Sequence, residues 1–256
     1  RRSGANIDAG YAVLEQGSSW LGLIGKHGVA RTHGSIFGSG HKQANEGAFI
    51  FHARGQLLAM EPGYPSYDLR DSVIYSRNHN VILVDGKGPD ATGYPGFLIG
   101  TDTWIGDTLA SPRLSRASAR TTYQSASIVR NVLLLDGVGI LVDRVSAAGA
   151  HTYTQQVHGN GSSSDGSFGI DNATGAARWT RGNAQLTCVT AASGTASRVV
   201  VAQRTHSPAY KTLEKHAALL TESTGANVAF VSLLIPAAAG DSMRPARLGC
   251  DGWTGL

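Results

Sequence analysis

The chain has 256 residues, of which 41% are hydrophobic, 16% are charged and 33 are glycine. Low charge and abundant glycine exclude coiled coils and long solvated helices, whereas sustained apolar alternation excludes disorder. No apolar run reaches the roughly 18 residues that a membrane-spanning helix needs. A formal net charge of +4 permits an acidic ligand. Nucleic acid is not an expected partner, because the basic residues do not cluster with aromatic ones.

The hydrophobic pattern predicts strands along most of the chain. Two hairpins come first, one from segments 11–14 and 20–24 and one from segments 48–53 and 56–60. Later predicted strands are 81–84, 132–135, 140–142, 152–157, 184–190, 198–203 and 228–235. Segment 89–112 is predicted to be irregular, and segment 211–220 to be a strand with a loop. Turn signals at this density are typical of an all-β sandwich or barrel, and no change of composition marks a second domain within residues 1–256.

Polar residues concentrate in three short segments, 40–49, 60–67 and 77–81. Since the second predicted hairpin joins the first two segments, both are expected at one end of a sheet, and the strand at 81 brings the third there. Together they offer His41, Gln43, Asn45, Glu61 and His79. This set suits a divalent cation, or a histidine acting as acid or base near neutral pH. It is also compatible with polar groups that only cap hairpins and face water.

The order of these motifs resembles the C-terminal β-domain of heparinase II/III-like polysaccharide lyases. The matching motifs are His41-x-Gln43-x-Asn45-x-Gly47-x-Phe49, Glu61-Pro62-Gly63-Tyr64 with Tyr67, His79-Asn80-Val81, and Arg130-Asn131-Val132 continuing to Asp143. The resemblance covers about residues 11–236. It implies an antiparallel β-sandwich of two multi-stranded sheets. It also implies that residues 1–256 are the C-terminal part of a longer protein with an N-terminal α-helical toroid.

The resemblance also assigns roles to residues. His41 matches a histidine that faces the cleft as an acid, a base or a substrate contact, and Gln43, Glu61 and His79 match metal-binding positions. Many members have His and Asp where this chain has Gln43 and Glu61, which favours calcium, or no metal, over zinc and favours a structural role for any metal. The residues expected to contact substrate are Asn45, Tyr64, Tyr67, Arg77, Asn78 and Asn80.

We therefore expect a lyase that cleaves a uronate-containing acidic glycan by β-elimination, in a family that acts on heparan-type glycosaminoglycans and on alginate. The expected partners are an acidic polysaccharide and the helical domain of the same protein, in a secreted or periplasmic bacterial setting. Two alternatives are a non-catalytic module that binds acidic glycans and a purely structural or assembly domain. A lyase is expected to gather Gln43, Glu61 and His79 near His41, whereas an assembly domain leaves them scattered.

The other histidines and the cysteines carry weaker expectations. His151 and His158 flank a predicted strand and are assigned to structural hydrogen bonds, whereas His206 and His216 have no motif context. Cys188 and Cys250 match no zinc motif, and either one disulfide or two buried thiols is compatible with their positions.

Overall fold

The computed structural model describes residues 4–6, 10–25, 43–89, 101–161 and 166–242. Within these residues, fifteen strands and two short 3₁₀ helices make up the regular structure. The strands are β1 (Gly4–Asn6), β2 (Tyr11–Gln16), β3 (Ser19–Ile24), β4 (Phe49–Ala53), β5 (Gln56–Ala59), β6 (Ile82–Val84), β7 (Thr103–Ala110), β8 (Leu114–Tyr123), β9 (Ala126–Leu135), β10 (Val138–His158), β11 (Gly166–Asp171), β12 (Ala176–Arg181), β13 (Ala184–Ala192), β14 (Thr195–His206) and β15 (Glu214–Ala238). The 3₁₀ helices are Arg70–Ser72 and Ser76–Asn78.

The strands form two antiparallel sheets. The smaller sheet has the order β1-β2-β3-β4-β5, and the larger has the order β11-β12-β13-β15-β10-β9-β8-β7, with β14 on β15 and β6 on β10. One hydrophobic core joins them, since Leu21 and Phe51 of the smaller sheet pack in the same cluster as Leu134, Leu141 and Trp179 of the larger. The predicted all-β antiparallel sandwich is confirmed.

Strands β10 and β15 are the longest and pair with each other over most of their length. Their register shifts between Ser146 and His151, which is a bulge that bends the pair. Beyond the bulge β10 also pairs with β6, and a second buried cluster forms there around Tyr153 and Phe230. This part of the larger sheet supports the polar segments near residues 61 and 79.

The prediction of an irregular segment over 89–112 is wrong in its second half, where β7 (Thr103–Ala110) forms an edge of the larger sheet. Strands β8, β11 and β12 were also not predicted. In β8 the inward positions are filled largely by small or polar side chains, such as Ser115, Ala117 and Ala119. These residues give a weak apolar alternation. The part of 90–100 that was predicted to be irregular lies outside the described residues.

The strand predicted within 211–220 is confirmed, because β15 begins at Glu214 after a turn. Cys188 is a buried free thiol whose pKa burial raises to about 12, and Cys250 lies outside the described residues. No helix among the residues described above is long and apolar enough to cross a membrane.

Candidate functional site

The Glu61 carboxylate is the centre of the polar cluster. It follows the β4–β5 hairpin and is partly exposed, with 16% of its side chain accessible. Its Oε2 lies 2.5 Å from Nδ1 of the fully buried His79 and accepts a 3.2 Å hydrogen bond from Asn45 Nδ2. Its Oε1 accepts the backbone N–H of Asn80 at 3.2 Å. The three polar segments therefore meet at one carboxylate, as the hairpin topology predicted.

Asn80 joins the site to the sheets. Its side-chain amide donates to the carbonyls of Phe49 at 2.8 Å and Met60 at 2.9 Å, and its Oδ1 accepts the backbone N–H of His158 at 2.7 Å. The residue is fully buried. The structure thus places this amide inside the protein, where it fixes the ends of three strands and does not face solvent.

Asn78 is placed in a similar way. It is buried, its amide donates to the Ser72 carbonyl at 3.0 Å, and its Oδ1 accepts the backbone N–H of Thr205 at 3.3 Å. Sequence reasoning expected Asn78 and Asn80 to contact substrate, but both amides are used inside the chain. Their position gives them a structural role, because a buried amide that is already hydrogen-bonded has few groups left for a sugar.

Arg130 holds two of the site segments in place through hydrogen bonds, which together form a clamp. Its Nη1 donates to the carbonyls of Gly47, at 2.8 Å, and of Asn80, and its other nitrogens pair with the Asp143 carboxylate at 2.7 and 2.8 Å. Burial opposes the charge on this guanidinium, but the attraction of Asp143 outweighs it and raises the Arg130 pKa. Gln155 also donates to Asp143, at 2.7 Å. The clamp fixes the backbone on both sides of Glu61.

The remaining predicted contact residues lie toward the surface. Tyr67 is 65% exposed, and the Arg70 guanidinium stacks 3.9 Å from its ring centre. Arg77 is exposed and lies 4.8 Å from the ring centre of Tyr75. Tyr64 is half-buried, and Gln43 donates to the Gly63 carbonyl at 2.9 Å.

The predicted metal ligands Gln43, Glu61 and His79 all contact protein groups in this arrangement. Glu61 and His79 touch each other directly, whereas an ion held by both lies about 2 Å from each donor atom and replaces that contact. Within the described ranges, no three His, Cys, Asp or Glu side chains are grouped to hold a metal. The metal site stays a prediction. His41, the predicted catalytic residue, lies outside the described residues.

The sequence did not predict a buried histidine cluster behind the site. His158 Nδ1 lies 2.8 Å from His216 Nε2, and the His206 ring packs edge-on against His216. Burial lowers the His158 pKa well below its usual value and lowers that of His216 to about 3, so both rings are neutral near pH 7. Structural hydrogen bonding was expected for His158. His216 could be found only through the pairing of β10 with β15, which residue order does not reveal.

This fold and its site define the molecule as a two-sheet antiparallel β-sandwich domain with a polar cluster where three loops meet. The chain matches the family described as Heparinase II/III-like, C-terminal, over residues 2–236, and it belongs to that family. The resemblance seen in the motifs is therefore confirmed. A search of curated proteins found no match.

Solved structures show the same fold at low sequence identity. The chain is similar to a heparinase III described as the BT4657 gene product, with a TM-score of 0.76, 13% identity and 92% of this chain covered. It is equally similar to heparan sulfate lyase HepC from Pedobacter heparinus, with a TM-score of 0.76, 16% identity and 94% coverage. The matches span only 36% and 37% of those two chains.

Proposed function

We propose that this chain is the β-domain of a polysaccharide lyase that cleaves a uronate-containing acidic glycan by β-elimination. The observation that carries the proposal is the cluster in which Asn45, Glu61 and His79 meet, directly after the segment that contains His41. An assembly domain has no need to gather these groups at the end of a hairpin. Membership of the heparinase family and likeness to a heparan sulfate lyase support the same substrate class.

The reaction needs three catalytic functions from the protein. A base removes the proton at C5 of the uronate, cationic or hydrogen-bonding groups stabilise the charge that develops on the carboxylate, and an acid protonates the departing O4. In this proposal His41 takes part in one proton transfer. In the same proposal Arg77, which is exposed, meets the uronate carboxylate, and Tyr67, also exposed, offers a ring face to a sugar.

The cluster itself has a supporting role in this chemistry. Glu61 has three hydrogen-bond partners from two other segments, Asn45 from one and His79 and Asn80 from the other, so it fixes Asn45 and His79 relative to each other. Its charge is offset by these contacts, which lowers its repulsion of an acidic substrate. Asn45 lies at the half-buried edge of this cluster and is the amide that we propose reaches substrate hydroxyl groups.

The test uses the full-length protein with heparan sulfate, chondroitin sulfate and alginate as separate substrates. Formation of the unsaturated uronate is followed by its ultraviolet absorbance. We expect product from at least one substrate and a loss of at least about 100-fold in kcat for His41→Gln, the lower end of the range for general acid–base catalysis. His151→Gln is the matched control, since His151 pairs with Asp85 away from the cluster.

Two results would overturn the proposal. If the wild-type protein makes no unsaturated product from any of the three polysaccharides but still binds one of them, the chain is part of a binding protein. If His41→Gln retains more than half of the wild-type kcat, His41 has no part in the proton transfers.

A further inference from the structure

Arg204 lies next to the candidate site and belongs to none of the sequence motifs. It stands on β14, an edge strand that pairs only with β15, and it is directly opposite His216 in that pairing. The next residue, Thr205, donates its backbone N–H to Asn78 Oδ1 at 3.3 Å. Because Asn78 follows Arg77, this bond brings the end of β14 against the loop that carries Arg77.

The guanidinium of Arg204 has no counterion within the described ranges. It is half-buried, its Nε is shielded from solvent without a hydrogen-bond partner, and neither it nor Arg77 forms an ion pair there. The groups that face it are Arg77 and the neutral rings of His158 and His216. Burial, followed by repulsion from Arg77, lowers the Arg204 pKa.

Two neighbouring guanidiniums without a carboxylate are costly to hold together unless an anion joins them. The nearby rings of His158 and His216 do not supply a negative charge, since both are uncharged near pH 7. A guanidinium donates two parallel hydrogen bonds to a carboxylate or a sulfate. Arg77 is exposed, so an anion from solution reaches the pair without any movement of the sheet.

We propose that Arg204 and Arg77 together form an anion subsite that binds a sulfate or carboxylate group of an acidic glycan. This inference rests on the proposed function only for the identity of the ligand as an acidic glycan. The subsite lies beside the Glu61 cluster, so it fixes a substituent near the reacting sugar. Arg204 is a substrate-binding residue in this proposal and takes no part in proton transfer.

The experiment measures binding of a heparin-derived oligosaccharide to the full-length protein by titration calorimetry. Arg204→Met keeps the aliphatic stem and removes the charge, and we expect it to weaken binding by about tenfold or more. Arg204→Lys keeps the positive charge but lacks the two parallel donors of the guanidinium, so we expect a smaller loss of affinity. Arg198→Met is the matched control on the same strand, because Arg198 is exposed and already paired with Glu222, and it should stay within about twofold.

A desulfated oligosaccharide of the same length distinguishes the two anions. If the subsite binds sulfate, Arg204→Met changes only the affinity for the sulfated ligand, and if it binds carboxylate, both affinities fall. Arg77→Gln at the surface serves as the second variant should Arg204→Met fail to fold. Its effect should not add to that of Arg204→Lys, since both residues hold one anion.

The inference is overturned if Arg204→Met and Arg77→Gln both bind within about twofold of the wild type, or if the wild type binds neither oligosaccharide. Turnover is measured on the same preparations, so that a failure of this inference can be distinguished from a failure of the proposed function. A wild type that binds through Arg204 but releases no unsaturated product contradicts the lyase reaction and leaves the anion subsite in place.

Discussion

At the scale of single residues, the buried pair of Arg130 and Asp143 is the contact on which the site depends most. Both side chains are almost wholly buried, and Arg130 also holds the Gly47 and Asn80 carbonyls. We expect Arg130→Met to lower the free energy of unfolding by about 3–5 kcal/mol, because it leaves the Asp143 charge buried without its partner. Urea denaturation measures this loss.

The control for that variant is Arg113→Met on a surface pair. Arg113 reaches Asp136 at 2.5 Å, but both side chains are at least half exposed. Water screens such a pair, so we expect no measurable change in stability. If Arg130→Met and Arg113→Met prove equally harmless, the clamp does not hold the loops at residues 47 and 80.

The neutral histidines predict a dependence of stability on pH. His216 has a folded pKa of about 3, mainly because of burial, whereas an unfolded histidine titrates near 6.5. Between these values the unfolded chain binds more protons, so stability falls as the pH drops below about 6.5, by up to about 1.4 kcal/mol per pH unit for each such ring. We expect His216→Gln to make this slope shallower in urea denaturation between pH 7 and pH 5. An unchanged slope would contradict the buried neutral pair.

At the scale of elements, the contact between segment 61–68 and the β14–β15 turn shapes the edge of the site. Ser207 donates its backbone N–H to the Pro62 carbonyl at 2.6 Å, and Lys211 donates to that of Pro65 at 2.9 Å. Gly63 has a φ of +72°, and a Cβ there would lie 2.6 Å from the Ser207 carbonyl oxygen. Only glycine allows this close approach.

Gly63→Ala should therefore separate the two elements. Gly55→Ala is a matched control, since Gly55 has a φ of +76° but nothing lies within 4 Å of a Cβ there. Both variants bear the cost of a positive φ, of the order of 1 kcal/mol, and only Gly63→Ala adds the backbone clash. We expect a larger drop in Tm for Gly63→Ala and faster amide exchange in segment 61–68. Equal effects would show that the contact is not tight.

The same elements show what the sequence can predict. Asp136 and Gly137 form a tight turn with φ values of +48° and +83°, as an Asp-Gly pair between apolar runs indicates. The meeting of Glu61 with His79 also followed from a local hairpin and the next strand. Arg204 and His216 could not be found this way. Their environment depends on β14 packing beside the 3₁₀ helix Ser76–Asn78, more than 120 positions earlier in the chain, where Thr205 donates a hydrogen bond to Asn78.

At the scale of the whole molecule, the chain spans little more than a third of the heparinase-type structures that it matches. β-Elimination needs an acid and a base as well as groups that stabilise the carboxylate. From this chain we assign His41 to a proton transfer and Arg77 to the carboxylate. We infer that activity requires polypeptide beyond these residues.

This inference predicts different behaviour for residues 1–256 alone and for the full-length protein. We expect the isolated chain to bind the heparin-derived oligosaccharide weakly through Arg77 and Arg204 but to form no unsaturated uronate, because on this inference part of the proton-transfer machinery lies outside residues 1–256. A cooperative thermal transition of the isolated chain is the control that it is folded. Product formation by the folded chain within about tenfold of the full-length rate would show that this β-domain carries a complete active site, since a missing acid or base alone costs about 100-fold or more.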